Sequence, residues 1–246
     1  MVVATQALLQ EPALLQEQVV RLLAEAPARV RSLTLPDGRR FWLKRIEALP
    51  LRMRLQKGNA RLAFEAERTG LTVLAREGLP VAAIALDGPD YMVLPDVGRT
   101  LDRVLVEVPE AERLLAFRAA GGSLARLHAA GFVHGRPAIR DICWDGAEAR
   151  FIDLERFSVT RRGPLQQALD VVMFVQTFMT VAGGPAPALD AALQAYAAGA
   201  PPDVLPMVGK VVRWLGWLGP VSRAVVRFRP AAREFLAVPQ TLARLR

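Results

Sequence analysis

The chain has 246 residues, 52% of them hydrophobic and 23% charged, enough apolar surface for one large domain or two small lobes, which excludes a disordered or collagen-like chain. One cysteine, Cys143, and two histidines, His128 and His134, exclude an internal disulfide and leave too few ligands for a structural zinc site. A formal charge of +8 points to an anionic partner: phosphate groups, a membrane surface or nucleic acid.

Apolar residues recur at helical spacing from Gln6 to Ala26 (Leu8, Leu15, Val19, Leu22), with Pro12 as a point of kinking. Glu11 and Glu17 interrupt the opening stretch, so no secretory leader is read there and a cytoplasmic location is expected. Val30 to Leu35 and Arg40 to Ile46 are strand-like and joined by the turn tripeptide Pro36-Asp37-Gly38, predicting a hairpin that ends in Phe41-Trp42-Leu43-Lys44. Only Lys44, Lys57 and Lys210 are lysines among 32 basic residues. A lysine in a strand of this chain is therefore informative. Ala60 to Glu77 reads as a helix closed by Gly78, and Val81 to Leu86 and Tyr91 to Leu94 as two further strands.

Beyond Pro109 the pattern turns helical. Glu110 to Ala130 is a long periodic segment weakened by Gly121-Gly122, followed by a short hairpin, Ile142 to Trp144 and Arg150 to Leu154, around Asp145-Gly146. Val171 to Leu189 is the longest uncharged stretch, but Gly183-Gly184-Pro185 divides it, so Val171 to Val181 reads as a buried core helix too short to span a bilayer. The rest, to Arg246, is helical with proline punctuation. A β-rich region to residue 95 and a helical region from 96 to 246 predict two lobes with a crevice between them, a usual place for a ligand.

Four features then stand in a telling order: the strand lysine Lys44, the helix glutamate Glu67 with Glu65 close by, a loop around His134, and the strand-end acid in Phe151-Ile152-Asp153-Leu154. Phosphoryl transfer needs a cation on nucleotide phosphates, a carboxylate that holds that cation, and acids for Mg²⁺. With these residues, the segment Leu124-Ala-Arg-Leu-His128-Ala-Ala-Gly131-Phe-Val-His134-Gly135 and the hinge-like Pro95-Asp-Val-Gly98-Arg-Thr-Leu101, the chain resembles the protein-kinase-like superfamily, in its bacterial lipopolysaccharide core kinase branch. The resemblance implies an α+β fold of two lobes. It further implies ATP and Mg²⁺ as cofactors, Lys44 on phosphates with Glu67 fixing it, Asp141 and Asp153 as metal ligands, and Asp170 as an anchor of the catalytic-loop backbone. From position alone, Asp170 reads as an N-cap for the helix to Val181. His134 is expected to support the metal turn by a hydrogen bond, His128 to be structural, and Cys143 to be an apolar filler.

The chain departs from that pattern at the catalytic base, where it carries Arg136, a permanently protonated guanidinium. It also carries Leu154-Glu155 after Asp153 and has no glycine-rich loop before Lys44. Two readings follow: an atypical kinase in which Arg136 neutralises the transferring phosphoryl group, acting on a sugar or lipid-linked envelope substrate, and a pseudokinase that binds nucleotide or lipid and regulates a partner. Val208 to Arg229 mixes Trp214, Leu215, Trp217 and Leu218 with Lys210, Arg213, Arg223, Arg227 and Arg229. That composition suits either the surface of an anionic membrane, at the inner face of the envelope, or a core-packed helix with a solvated arginine side. Residues 28 to 57 carry nine basic residues against Asp37 and Glu47, which suits an anionic glycolipid. Nucleic acid is not the expected partner, because the exposed aromatic pattern used for base stacking is missing.

Overall fold

A computed structural model describes residues 2–25, 28–46 and 60–246, with side chains from residue 13 onward. The N-terminal helix runs unbroken from Val2 to Ala24, through Pro12. The hairpin forms as expected: β1 (Val30–Thr34) pairs antiparallel with β2 (Arg40–Arg45), with Gly38 at φ +87 in the turn. Next come a helix, Ala60–Arg76, then β3 (Leu86–Gly88) and β4 (Tyr91–Pro95), giving an antiparallel sheet of order β1-β2-β4-β3. Val81 to Leu86 is not the strand its apolar run suggests. Within it Val81 makes an isolated parallel bridge to Phe151, and regular pairing starts only at Leu86. Phe151 donates its N–H to the Pro80 carbonyl at 2.8 Å, so this segment ties the small lobe to the hairpin of the larger one.

Strand alternation gives the sheet two working faces. Phe41, Leu43 and Val93 point to one side and bury against Leu15 and Val19 of the N-terminal helix, forming a small core of their own with Leu33 and Leu35. Met92 and Leu94 point to the other side and join the large core with Phe64, Leu71 and Leu74 of helix Ala60–Arg76. Lys44 is one residue on from Leu43 and so belongs to that second face, towards the larger lobe.

The larger lobe begins with β5 (Arg99–Thr100) and a short helix, Leu101–Glu107, which local periodicity does not announce. Helix Glu110–Ala129 follows, then a 3₁₀ turn over Ile139–Asp141 and the hairpin β6 (Ile142–Trp144) and β7 (Ala149–Phe151), which with β5 makes a three-stranded sheet. Helices Pro164–Ala182, Pro187–Gly199, Val204–Trp214, Leu218–Phe228 and Arg233–Arg244 complete it. Gly121 does not weaken its helix; it permits a close crossing, because a Cβ there would sit 2.0 Å from the Ala192 carbonyl oxygen of helix Pro187–Gly199. Pro164–Ala182 is, among the described residues, the one helix long and apolar enough to cross a membrane. Its Val171, Phe174, Val175 and Phe178 are buried in the large core, with Phe178 edge-on to Phe117 at 5.1 Å, so it serves as the central core helix. The result is a two-lobed α+β architecture: an antiparallel sheet with one lysine-facing helix, a hinge, and a helical lobe whose β-hairpin faces that lysine.

Candidate active site in the interlobe cleft

Lys44 is placed by β2 and Glu67 by helix Ala60–Arg76, and their side chains meet with Nζ 2.5 Å from Oε1. Glu67 is 2% exposed. Burial pushes its carboxyl above the usual range, opposed by the Lys44 ammonium. Glu65, its rival in the sequence, instead pairs with Arg68 one turn on. The helical period decides between them: Glu67 lies four residues before Leu71 and shares its buried side, while Glu65 does not.

The larger lobe brings two acids to the same place. Asp153 approaches Lys44 from the end of β7, with Oδ1 3.7 Å from Nζ. It is the only non-glycine at positive φ among the described residues, +61, and this left-handed turn directs the carboxylate back into the cleft. Asp141, at the end of the 3₁₀ turn, is 4% exposed, and its Oδ2 has no hydrogen-bond partner. Burial, and then the nearby Asp153 charge, push its pKa up to about 7, against the pull of Arg140 and Arg136. Arg136 stands between the acids, its Nη2 3.8 Å from Asp141 Oδ2 and 3.8 Å from Asp153 Oδ2. All five residues read from the sequence as site residues, Lys44, Glu67, Arg136, Asp141 and Asp153, thus converge on one cleft.

The loop that carries Arg136 is held from below. Asp170 lies within helix Pro164–Ala182, not at its start, so the N-cap reading fails: the helix begins six residues earlier, at Pro164. Its carboxylate accepts the backbone N–H groups of His134 at 2.7 Å and of Gly135 at 3.0 Å. His134 Nε2 meets the Ile152 carbonyl at 3.0 Å, bracing the residue before Asp153, and burial lowers its pKa so that the imidazole stays neutral. His128 is fully enclosed against the Tyr196 hydroxyl at 2.8 Å. Buried Cys143, its thiol pushed up to about 12 by desolvation, stays an inert thiol.

Between the lobes lies a cavity of about 530 Å³, within the range of small-molecule sites. Its walls include Trp42 and Lys44 from the sheet, the hinge from Leu94 to Thr100, and Cys143 and Ile152 from the hairpin below. Asp96 Oδ1 accepts the Gly98 N–H at 3.0 Å, shaping the hinge, where Gly98 at φ +102 passes so close to the Trp144 carbonyl that a Cβ would lie 2.1 Å away. Sequence reasoning missed Glu155. Its carboxylate comes within 4.8 Å of those of Glu67 and Asp153 and pairs with Arg29, which precedes β1. The Leu154-Glu155 departure from the kinase pattern was the available signal. Arg52, Arg54 and Lys57, which contribute to the basic excess over 28–57, lie outside the described residues.

As to metal, the acids present fit Mg²⁺. Asp141 offers a buried oxygen with no hydrogen bond, Asp153 a second carboxylate, and both are hard oxygen donors.

No family model matches the chain. An uncharacterised protein of Haemophilus influenzae is 34% identical over 140 residues, 56% of this chain and 58% of that protein. A probable bifunctional tRNA threonylcarbamoyladenosine biosynthesis protein of Haloquadratum walsbyi is 32% identical over 139 residues, 54% of this chain and 25% of that protein. The matched stretch thus spans little more than half of the first relative and a quarter of the second. Among solved structures, macrolide 2'-phosphotransferase MphH of Brachybacterium faecium, as apoenzyme, is similar with TM-score 0.47 and 16% identity, over 89% of this chain and 90% of that one. WaaP in complex with acyl carrier protein is similar with TM-score 0.43 and 16% identity, over 90% and 87%.

Proposed function

We propose that the protein is a kinase-like phosphotransferase that binds ATP with Mg²⁺ in the interlobe cleft and phosphorylates a sugar or lipid-linked envelope acceptor. The observation that carries the reading is the pairing of half-buried Lys44 with buried Glu67, 2.5 Å apart, with Asp153 3.7 Å from the same ammonium at the edge of a 530 Å³ cavity. A lysine held by a buried glutamate is oriented before any phosphate arrives, so its charge needs no reorganisation on binding. The hinge and Trp42 would hold the base, Lys44 the phosphate oxygens, and Asp141 with Asp153 the metal. A magnesium ion held by these two acids would supply positive charge against the phosphate oxygens.

Arg136 takes no proton from an acceptor hydroxyl. Its role in this reading is to counter negative charge on the phosphoryl group as the acceptor O–P bond forms and the bond to ADP breaks; the hydroxyl proton passes to a phosphoryl oxygen or to water. General-base help contributes about 10²–10⁴ in rate, so its loss lowers turnover without removing the positioning that dominates this chemistry. The acceptor class rests on the resemblance to lipopolysaccharide core kinases and on the basic excess of the chain.

A second reading, a pseudokinase, is favoured by one observation: the Arg136 guanidinium stands 3.8 Å from both candidate metal ligands, as an internal cation between them. One experiment separates the two. Mg-ATP binding, followed by thermal stabilisation, and γ-phosphate transfer into an envelope-lipid extract are measured side by side for the wild-type chain, Lys44→Met, Asp153→Ala and Arg136→Ala. The enzyme reading expects transfer that each substitution abolishes or cuts at least tenfold, an order-of-magnitude expectation. Binding without transfer to any acceptor in a broad panel overturns it in favour of the pseudokinase, and full transfer by Arg136→Ala overturns the role given to that residue.

A further inference from the structure

We infer that the outer face of the segment from Val204 to Phe228 is a docking surface for an anionic lipid bilayer. The inference does not depend on the catalytic reading. Helix Val204–Trp214, the 3₁₀ turn Leu215–Trp217 and helix Leu218–Phe228 follow one another without leaving right-handed helical backbone: Trp214, Leu215, Trp217 and Leu218 all keep negative φ and ψ. Side chains three or four residues apart therefore stay on one side. Taken at about 100° per residue, Trp214, Trp217, Val221, Ala224 and Phe228 fall within an arc of about 80°. That arc faces outward. Trp214 is 72% exposed, Trp217 58% and Phe228 84%, while Val208, Val212, Gly219 and Ser222 on the opposite side are buried. A core-packed helix would have turned its tryptophans inward, so the exposure decides between the two arrangements that the composition leaves open.

The neighbouring arc is basic. Arg213, Arg223 and Arg227 occupy about the next 80°, all exposed, and no acidic residue occurs from 204 to 233. None of these arginines forms an ion pair among the described residues. A contiguous stripe of large exposed apolar side chains, unlike single ones scattered over a surface, marks a site that something covers. Indole rings beside unpaired guanidinium groups match the headgroup region of an anionic membrane, where the rings sit at the acyl boundary and the cations at the phosphates. A second copy of the chain would bring an equally basic stripe against this one, with no carboxylate to meet it. A single-stranded nucleic acid would need ring faces spaced along a basic groove, whereas here the rings alternate with Val221 and Ala224 on one helical stripe.

The test is co-sedimentation of the full chain with vesicles of phosphatidylcholine alone and of phosphatidylcholine mixed with phosphatidylglycerol, together with tryptophan emission. Binding is expected only to the anionic vesicles, weakened by salt and accompanied by a blue shift. Arg213→Gln/Arg223→Gln/Arg227→Gln should lower partitioning about a hundredfold, and Trp214→Ser/Trp217→Ser should lose the blue shift, with thermal melting unchanged because the altered side chains are exposed. Lys44→Met should bind vesicles like the wild type, which separates failure here from failure of the catalytic reading. No vesicle binding, equal binding to neutral vesicles, self-association relieved by Phe228→Glu, or retention on single-stranded RNA in place of lipid would each overturn the proposal.

Discussion

Replacing Asp141 by Asn removes a buried charge while keeping the shape of the side chain. With the native pKa at about 7 and the unfolded value at about 3.9, the sign follows directly. Below pH 4 the carboxyl is neutral in both states and the substitution changes little. Between pH 4 and pH 7 the unfolded chain ionises first, so folding must hold a proton on Asp141, and the wild type loses stability relative to the amide as pH rises. Above pH 7 the carboxylate is ionised in both states and the difference levels off. A shift of about three units corresponds to a ceiling of about 4 kcal/mol at pH 8. Water at the edge of the cleft reduces this to about 2–3 kcal/mol. For a chain of this size that is a rise in Tm of about 5–10 °C. Thermal denaturation of the wild type and Asp141→Asn, from pH 4 to pH 8 without divalent cations, should show a gap that opens with pH and then flattens. Adding Mg²⁺ should narrow it, because only the carboxylate gains from the ion. An amide variant less stable than the wild type at pH 8, or a gap indifferent to pH, would refute the reasoning and assign the carboxylate a net stabilising partner in Arg136.

Two other substitutions probe the frame of the site. Lys44→Met leaves Glu67 buried without its partner and should destabilise the fold by about 3 kcal/mol, most of which the double variant Lys44→Met/Glu67→Gln recovers; urea titration reads both, and a double variant no more stable than the single one would mean the pair is not the unit described. Gly121→Ala drives a methyl group into the Ala192 carbonyl and should cost about 3 kcal/mol, whereas Gly122→Ala, which meets nothing within 4 Å, should gain up to about 1 kcal/mol. Equal effects at the two positions in denaturant unfolding would count against the close helix crossing.

Much of this cleft can be read from residue order, because local patterns fix where each group sits on its element. The alternation Phe41-Trp42-Leu43-Lys44 states which face the lysine takes, and the spacing from Glu67 to Leu71 singles out one glutamate among neighbours. Where the reading failed, the deciding force was tertiary. Val81 to Leu86 is apolar enough for a strand, but Phe151 offers it only one bridge. Asp170 looks like a cap because the residues before it, Pro164 to Leu169, carry no strong helical stripe; they are helical since Ala168 and Gln167 bury against the large core, with Gln167 donating to the His128 carbonyl. Glu155 escaped notice because its partner, Arg29, is 126 residues away in sequence, and no periodicity connects them. The floor of the cavity was likewise beyond reach: Cys143 and Ile152 line it only because two sheets from separate stretches face each other.

The small apolar cluster on the outer side of the sheet has a mechanical consequence. Leu43, at its centre, is the residue next to Lys44, and the cluster is separate from the core that unites the rest of the molecule. Units stabilised by their own limited burial open on their own, at lower free energy than the whole. The amino-terminal helix therefore works as a splint for the strand that carries Lys44. Anything that lifts it loosens the lysine's footing while the acids of the other lobe keep theirs.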